Sequence, residues 1–178
     1  MIIRYRMEMS FSIFSIGDRV RALNIFRYDI EESVCMRGHD TIEHPADMGV
    51  RGWGTDARES FEEVASAMFE LMVETGGLEP LASVSIACDG NGYEELLIEF
   101  LNTLLSRAHL EEMMFTGVRI DRMEQKGEKW TVEATARGVP RERVRDRLLT
   151  EVKAATYYGA SVKRIESGVW EAQCVVDL

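Results

Sequence analysis

The chain has 178 residues, 46% of them hydrophobic, and a formal net charge of −10, which suits one domain with a sizeable core. The charge is uneven: residues 40–112 hold 16 acidic and 3 basic side chains, residues 113–178 hold 10 and 12, and residues 1–39 hold 5 and 6. An acidic face repels phosphate, so nucleic-acid binding is at most auxiliary, and a basic protein partner or cations are the expected complement. No apolar run approaches the roughly 20 residues that span a bilayer. Residues 11–16 are too short for a secretion signal and lead into Asp18, Arg19 and Arg21 in place of a small-residue cleavage site. The expectation is a cytoplasmic protein with no membrane association. Cys35, Cys88 and Cys174 are an odd count without a close pair, which argues against a disulfide framework and against a zinc ribbon. Cys88 and Cys174 lie in alternating segments and are expected as buried free thiols.

In chain order, residues 1–38 show no sustained period and read as a non-conforming N-terminal extension, either a flexible arm or an artefact of start-site choice, with Met36 as an alternative start and a short strand around residues 11–16. Residues 39–178 form the domain proper. His44-Pro45-Ala46-Asp47-Met48-Gly49 opens it. Pro45 cannot donate a ladder hydrogen bond, so a strand arriving through Ile42 should break there. Gly49 would let the backbone turn just past Asp47, and Val50 and Trp53 suggest a second short strand ended by Gly54. Asp47 is then a carboxylate held in a loop between strands, either a turn former or a binding residue.

Residues 56–74 are predicted helical, since Phe61, Val64, Ala65, Met68, Leu71 and Met72 recur at helical spacing with Glu59, Glu62, Glu63 and Glu70 mostly on other faces. Thr55 or Asp56 caps the helix and Gly76-Gly77 stops it. Residues 81–88 alternate as a strand, and Asp89-Gly90-Asn91-Gly92 reads as a turn. A second helix covers about residues 92–110, with His109 at its end. From residue 113 the period is two, and a turn at Gly127 makes an antiparallel hairpin. Arg141, Arg143, Arg145 and Arg147 form a basic connector, solvated or one helical turn. The last block reads as three short strands: residues 150–155 leading to Thr156-Tyr157-Tyr158, then residues 162–165, then residues 170–176. The fold class is α+β, a single compact domain with two main helices packed on a largely antiparallel sheet.

Familiar catalytic signatures are missing. No Gly loop ends in Gly-Lys-Ser/Thr, no Ser nucleophile elbow is present, and no two histidines have metal-ligand spacing on a helix. Lys153 would serve as a base only if buried. The Asp177 carboxylate and the oxygens of Leu178 lie together at the end of the sequence, and Asp47 joins them if the last strand runs beside the residue 47 loop. Oxygen-only ligands suit a hard cation such as Ca²⁺ or Mg²⁺.

Taken together, His44-Pro45-Ala46-Asp47-Met48-Gly49, the acidic helix after it, Lys153-Ala154-Ala155-Thr156-Tyr157 and the final Asp177-Leu178 resemble the archease family over about residues 39–178. The resemblance implies a small non-enzymatic protein that assists the GTP-dependent tRNA-splicing RNA ligase, promoting its guanylylation and turnover. The alternative it offers is a chaperone for a tRNA cytosine methyltransferase. It implies metal ligands at Asp47, Asp177 and Leu178, with calcium or another divalent cation bound, and makes His44 and Lys153 candidate contacts with the partner. The sequence departs from the family at Pro45, where Thr is usual, and at Tyr158, where His is usual.

Overall fold

A computed structural model of the chain describes residues 6–12, 23–29, 37–43 and 47–178, the first two segments and Glu43 through their backbone alone. The chain divides into two compact units, Met1–Cys35 and Met36–Leu178. In the first, β1 (Arg6–Ser12) pairs antiparallel with β2 (Leu23–Asp29). Phe11 and Ser12 of the strand expected over residues 11–16 close β1, and residues 13–16 lie outside the described residues.

The second unit runs β3 (Gly38–Glu43), β4 (Met48–Gly54), α1 (Ala57–Met72), β5 (Ala82–Gly90), α2 (Tyr93–Leu110), β6 (Met113–Lys126), β7 (Lys129–Pro140), a 3₁₀ segment (Arg141–Arg147), β8 (Ala154–Arg164) and β9 (Trp170–Asp177). Its strands make two sheets, ordered β3-β4-β9-β8 and β5-β7-β6, and their ladders are all antiparallel. Both helices touch both sheets: α1 lies on β3, β4 and β9 and reaches β6, while α2 lies on β5, β6, β7 and β8. The α+β architecture of two helices on antiparallel sheet is therefore as the sequence implies, with the sheet divided in two.

The elements form for local reasons. The Asp56 carboxylate accepts from the Glu59 N–H at 3.0 Å, and the Glu59 carboxylate reaches back to the Thr55 N–H at 2.8 Å. Asp56, not Thr55, is thus the cap, and Glu59 completes a reciprocal arrangement that satisfies two donors at the helix start. Phe61, Val64 and Met68 of α1 are fully buried, and Phe61 meets Phe100 of α2 with ring centroids 6.1 Å apart. Leu96, Leu97, Ile98, Phe100, Leu101 and Leu104 leave α2 apolar around most of its girth, as a helix between layers requires.

Three boundaries differ from the sequence reading. Helix α1 ends at Met72, before Gly76-Gly77, because Val73 turns extended and bridges to Leu148. Strand β5 continues through Asp89 and Gly90, which pair with Thr131 and Trp130, so the turn is confined to Asn91 and Gly92. Gly90 is required there by packing, since a Cβ would stand 2.5 Å from the Leu96 nitrogen of α2. The last block holds two strands, not three. Residues 150–153 belong to no strand, and β8 is one 11-residue strand. Its pairing with β9 shifts register between Thr156 and Ser161, around Gly159 at φ +65°. A bulge of this kind interrupts the alternation of side chains without ending the strand.

Candidate functional site

The four-stranded sheet has one face against the helices and one away from them. Val50 and Gly52 of β4 pair with Cys174 and Ala172 of β9, and all four are buried on the helix side. Gly52 is where α1 crosses: a Cβ would lie 2.4 Å from the Val64 nitrogen and 2.6 Å from the Ser60 carbonyl oxygen. By alternation, Gly49, Arg51 and Trp53 of β4 and Glu171, Gln173, Val175 and Asp177 of β9 fall on the other, outer face. Gly49 is not a turn residue, as its freedom suggested. It lies inside β4, between Ile42 and Val175.

The β4–β9 ladder ends at the pair Met48↔Val176. Asp47 sits in a bend one residue beyond it, and continuing the register one step sets Asp47 opposite Asp177. Directly opposed residues of an antiparallel pair have Cβ atoms about 4.5–5.5 Å apart. Asp47 is half-buried and Asp177 exposed, and among the described residues neither is in an ion pair. The ladder thus ends one residue short of both the loop acid and Asp177.

Leu178 is held differently. Its side chain packs against the core, and its main-chain oxygen accepts a hydrogen bond from Lys153 Nζ at 2.6 Å. The Lys153 N–H donates to the Asp177 carbonyl at 2.9 Å. Lys153 therefore ties the segment before β8 to the end of β9, with its ammonium on one of the oxygens expected to face a cation. His44 and Pro45 lie outside the described residues. Among the described residues no three His, Cys, Asp or Glu side chains converge as a ligand group. As a hard-cation site the arrangement supplies two carboxylates and leaves the other positions to water or other oxygens, which Ca²⁺, with its 6–8 flexible oxygen ligands, accommodates.

Sequence reasoning missed a second polar cluster, on the helix side of β3. Glu62, expected away from the core, is buried; its carboxylate accepts from the Ile120 N–H at 2.6 Å and from Arg37 at 2.7 Å. Arg37 also donates to Glu63 at 2.6 Å. The His39 ring bridges Glu63 at 2.5 Å and Glu70 at 3.2 Å. The Glu63 hydrogen bond, more than the other interactions, raises the His39 pKa above 6.5 despite its partial burial. Burial works to raise the Glu63 carboxyl, but hydrogen bonds from His39 and Arg37 outweigh it and hold that pKa below its ordinary value. The alternation of Arg37, just before β3, with His39 inside it, set against the Glu63/Glu70 spacing of α1, is the signal that could have found this cluster.

The remaining candidates fall into place. Burial pushes the thiols of Cys88 and Cys174 up to about 12, and both are free. His109 is exposed in the last turn of α2. Arg141, Arg143 and Arg145 are exposed along the 3₁₀ segment, whereas Arg147 donates to the Gly76 carbonyl at 2.9 Å. No described helix is long and apolar enough to cross a membrane.

Comparison with known proteins gives a consistent result. Residues 39–178 match the model of the Archease protein family (MTH1598/TM1083). The archease of Pyrococcus furiosus is 34% identical over 143 residues, covering 80% of this chain and 100% of the relative. That of Methanopyrus kandleri is 36% identical over 139 residues, covering 78% and 98%. The solution structure of Methanobacterium thermoautotrophicum protein 1598 superposes with a TM-score of 0.67 at 25% identity, covering 79% of this chain and 99% of that one. The chain belongs to the archease family.

Proposed function

We propose that this protein is a non-enzymatic, cytoplasmic activator of the GTP-dependent tRNA-splicing RNA ligase, acting through a divalent cation, Ca²⁺ by the chemistry of its oxygen donors, held at Asp47 and Asp177. The observation that supports the reading is the β4–β9 register, whose last pair, Met48↔Val176, lies one residue from each of those two carboxylates. The choice of partner rests on the resemblance stated from the sequence and is part of the proposal. When bound, such an ion offers positive charge and open coordination positions to phosphate oxygens at the ligase active site. The chain's own residues do the rest. Asp47 and Asp177 fix the position, Lys153 anchors the end of β9 through Leu178, and the acidic domain docks on a basic ligase entrance. Leu178 contributes through this anchoring, with a ligand role open only if Lys153 swings away.

The methyltransferase-chaperone reading would rely on a free acidic surface. It gains little support from α1, whose Glu59, Glu62, Glu63 and Glu70 are engaged by Thr55, Ile120, Arg37 and His39. The test is multiple-turnover RNA ligation by the cognate ligase. Wild-type protein should raise the yield per ligase molecule, and Asp47→Ala or Asp177→Ala should abolish the gain while circular dichroism stays unchanged. Full stimulation by either variant would refute the assignment. Point substitution is preferable to removing residues 177–178, because deletion also removes the Lys153 anchor and the Leu178 packing.

A further inference from the structure

The helix-facing rows of both sheets end in tryptophan, at the pole where the two helices begin. On β7 the row runs back through Ala136, Ala134 and Val132, all buried, and closes on the half-buried Trp130; on β9 it runs back through Val176, Cys174 and Ala172 and closes on the half-buried Trp170. Each indole stands opposite a glycine in its ladder, Trp130 opposite Gly90 and Trp170 opposite Gly54, so on that side no cross-strand side chain lies beside it. Tyr93, the first residue of α2, touches both: its ring centroid is 4.5 Å from that of Trp130 and 5.4 Å from that of Trp170. The three aromatics, with Asp56, Arg58 and Met123, line an open cavity of about 200 Å³. It lies at the far end of the β4–β9 ladder from Asp47 and Asp177, about 20 Å away at the rise of a strand.

The lining says what fits. Its two charges cancel, since Nε and Nη2 of Arg58 both donate to one Asp56 oxygen, at 3.1 and 2.6 Å, and on the adjoining hairpin Lys129 pairs with Asp89 at 2.7 Å. A cationic ligand would meet aromatic faces but no unmatched carboxylate of the lining, and Arg58 would repel it. An anion would find the one guanidinium already engaged. The polar groups left over are hydrogen-bond donors: among the described residues, the Tyr93 hydroxyl and Nε1 of Trp130 and Trp170 have no protein partner. An aliphatic occupant would cover those groups without pairing them, which costs free energy. A flat ring with polar edges both stacks on the aromatics and accepts from them. The volume is below the roughly 300 Å³ at which drug-sized pockets begin, so it takes a single ring system.

We propose that this cavity binds the uncharged ring of a nucleobase, presented by a free nucleoside or by one base of a single strand, independently of the ion site. The chain has three tryptophans, and Trp53, on the outer face of the other sheet end, serves as internal control. Full-length protein carrying isotope-labelled tryptophan is titrated with adenosine, guanosine, cytidine, uridine and ribose while the indole N–H signals are followed by NMR; Trp53→Phe identifies the control signal. At least one nucleoside should shift the Trp130 and Trp170 signals saturably, with a Kd in the millimolar range that one stacked base provides, while the Trp53 signal and the ribose titration stay flat. Trp130→Leu, with circular dichroism unchanged, should weaken the binding read at Trp170 by at least about five-fold; should that variant fail to fold, the wild-type titration decides alone. A short single-stranded RNA separates the two sources. Tighter binding than the nucleoside assigns the cavity to a base within a strand; weaker binding, as phosphates are repelled by a chain of net charge −10, assigns it to a free ring ligand. Unmoved Trp130 and Trp170 signals with every nucleoside, or equal shifts of all three tryptophans, would overturn the proposal. A proline-rich peptide that shifts the two signals when no nucleoside does would overturn it as well.

Discussion

Glu62 shows how one residue can be misplaced by composition and placed by hydrogen bonding. A carboxylate is rarely buried without partners, and its helical position suggested a solvated side. The fold sends it inward because β6 shifts register between Ile120 and Arg122, and the Ile120 N–H finds its acceptor in Glu62, 58 residues earlier. Nothing local in the sequence encodes that distance. Glu62→Ala should therefore lower stability by about 1–3 kcal/mol, the cost of a buried donor left unsatisfied. Glu62→Gln, which keeps an acceptor, should cost less; urea denaturation distinguishes the two. His39 adds a pH dependence of known sign. Its folded pKa lies above 6.5, so its contribution is complete below 6.5 and is lost as pH rises through the folded value. The lowered Glu63 pKa works at the other end: its contribution is present above 4.5 and is lost as pH falls through its depressed folded value. Stability should thus decline on the alkaline side of 6.5, and His39→Gln should remove that part of the slope in denaturation curves taken across this range.

At the scale of elements, both helices and the β6–β7 hairpin were legible because their apolar periods are long and unbroken. Phe61, Val64 and Met68 recur at helical spacing, and Trp130 to Ala136 alternate. Strand β8 was not legible, since its bulge breaks the alternation and only pairing with β9 on both sides of residues 157–160 shows it to be continuous. A close helix–sheet approach is equally hidden in the sequence. Gly52 reads only as a residue of the short strand between Val50 and Trp53, yet it is a point where α1 meets the β4 backbone. The opposing atoms are main chain and cannot rotate away, so Gly52→Ala should destabilise by about 1–3 kcal/mol or more and lower the melting temperature. Gly76→Ala, at a position with open space around it, should be nearly neutral.

Across the whole molecule, the charge surplus of residues 40–112 divides into two populations. The α1 acids are spent internally on Arg37, His39 and a backbone donor. Glu95 accepts hydrogen bonds from Asn91 at 3.0–3.1 Å, whereas among the described residues Asp47 and Glu99 are in no ion pair. The sequence reading singles out residue 47 and the end of the last strand, and the antiparallel pairing of β4 with β9 ends one residue from each. It did not anticipate that Lys153 would occupy the Leu178 oxygen, because that bond depends on where the segment before β8 crosses the end of β9. Binding of an ion to the folded state alone stabilises it by mass action, so saturating Ca²⁺ should raise the melting temperature of the wild type and leave that of an Asp47→Asn/Asp177→Asn variant unmoved. The most direct measurement is a calorimetric Ca²⁺ titration of the purified chain and of the two single variants. The account predicts one ion per chain for the wild type and its loss in both Asp47→Asn and Asp177→Asn; equal uptake by all three proteins would contradict it.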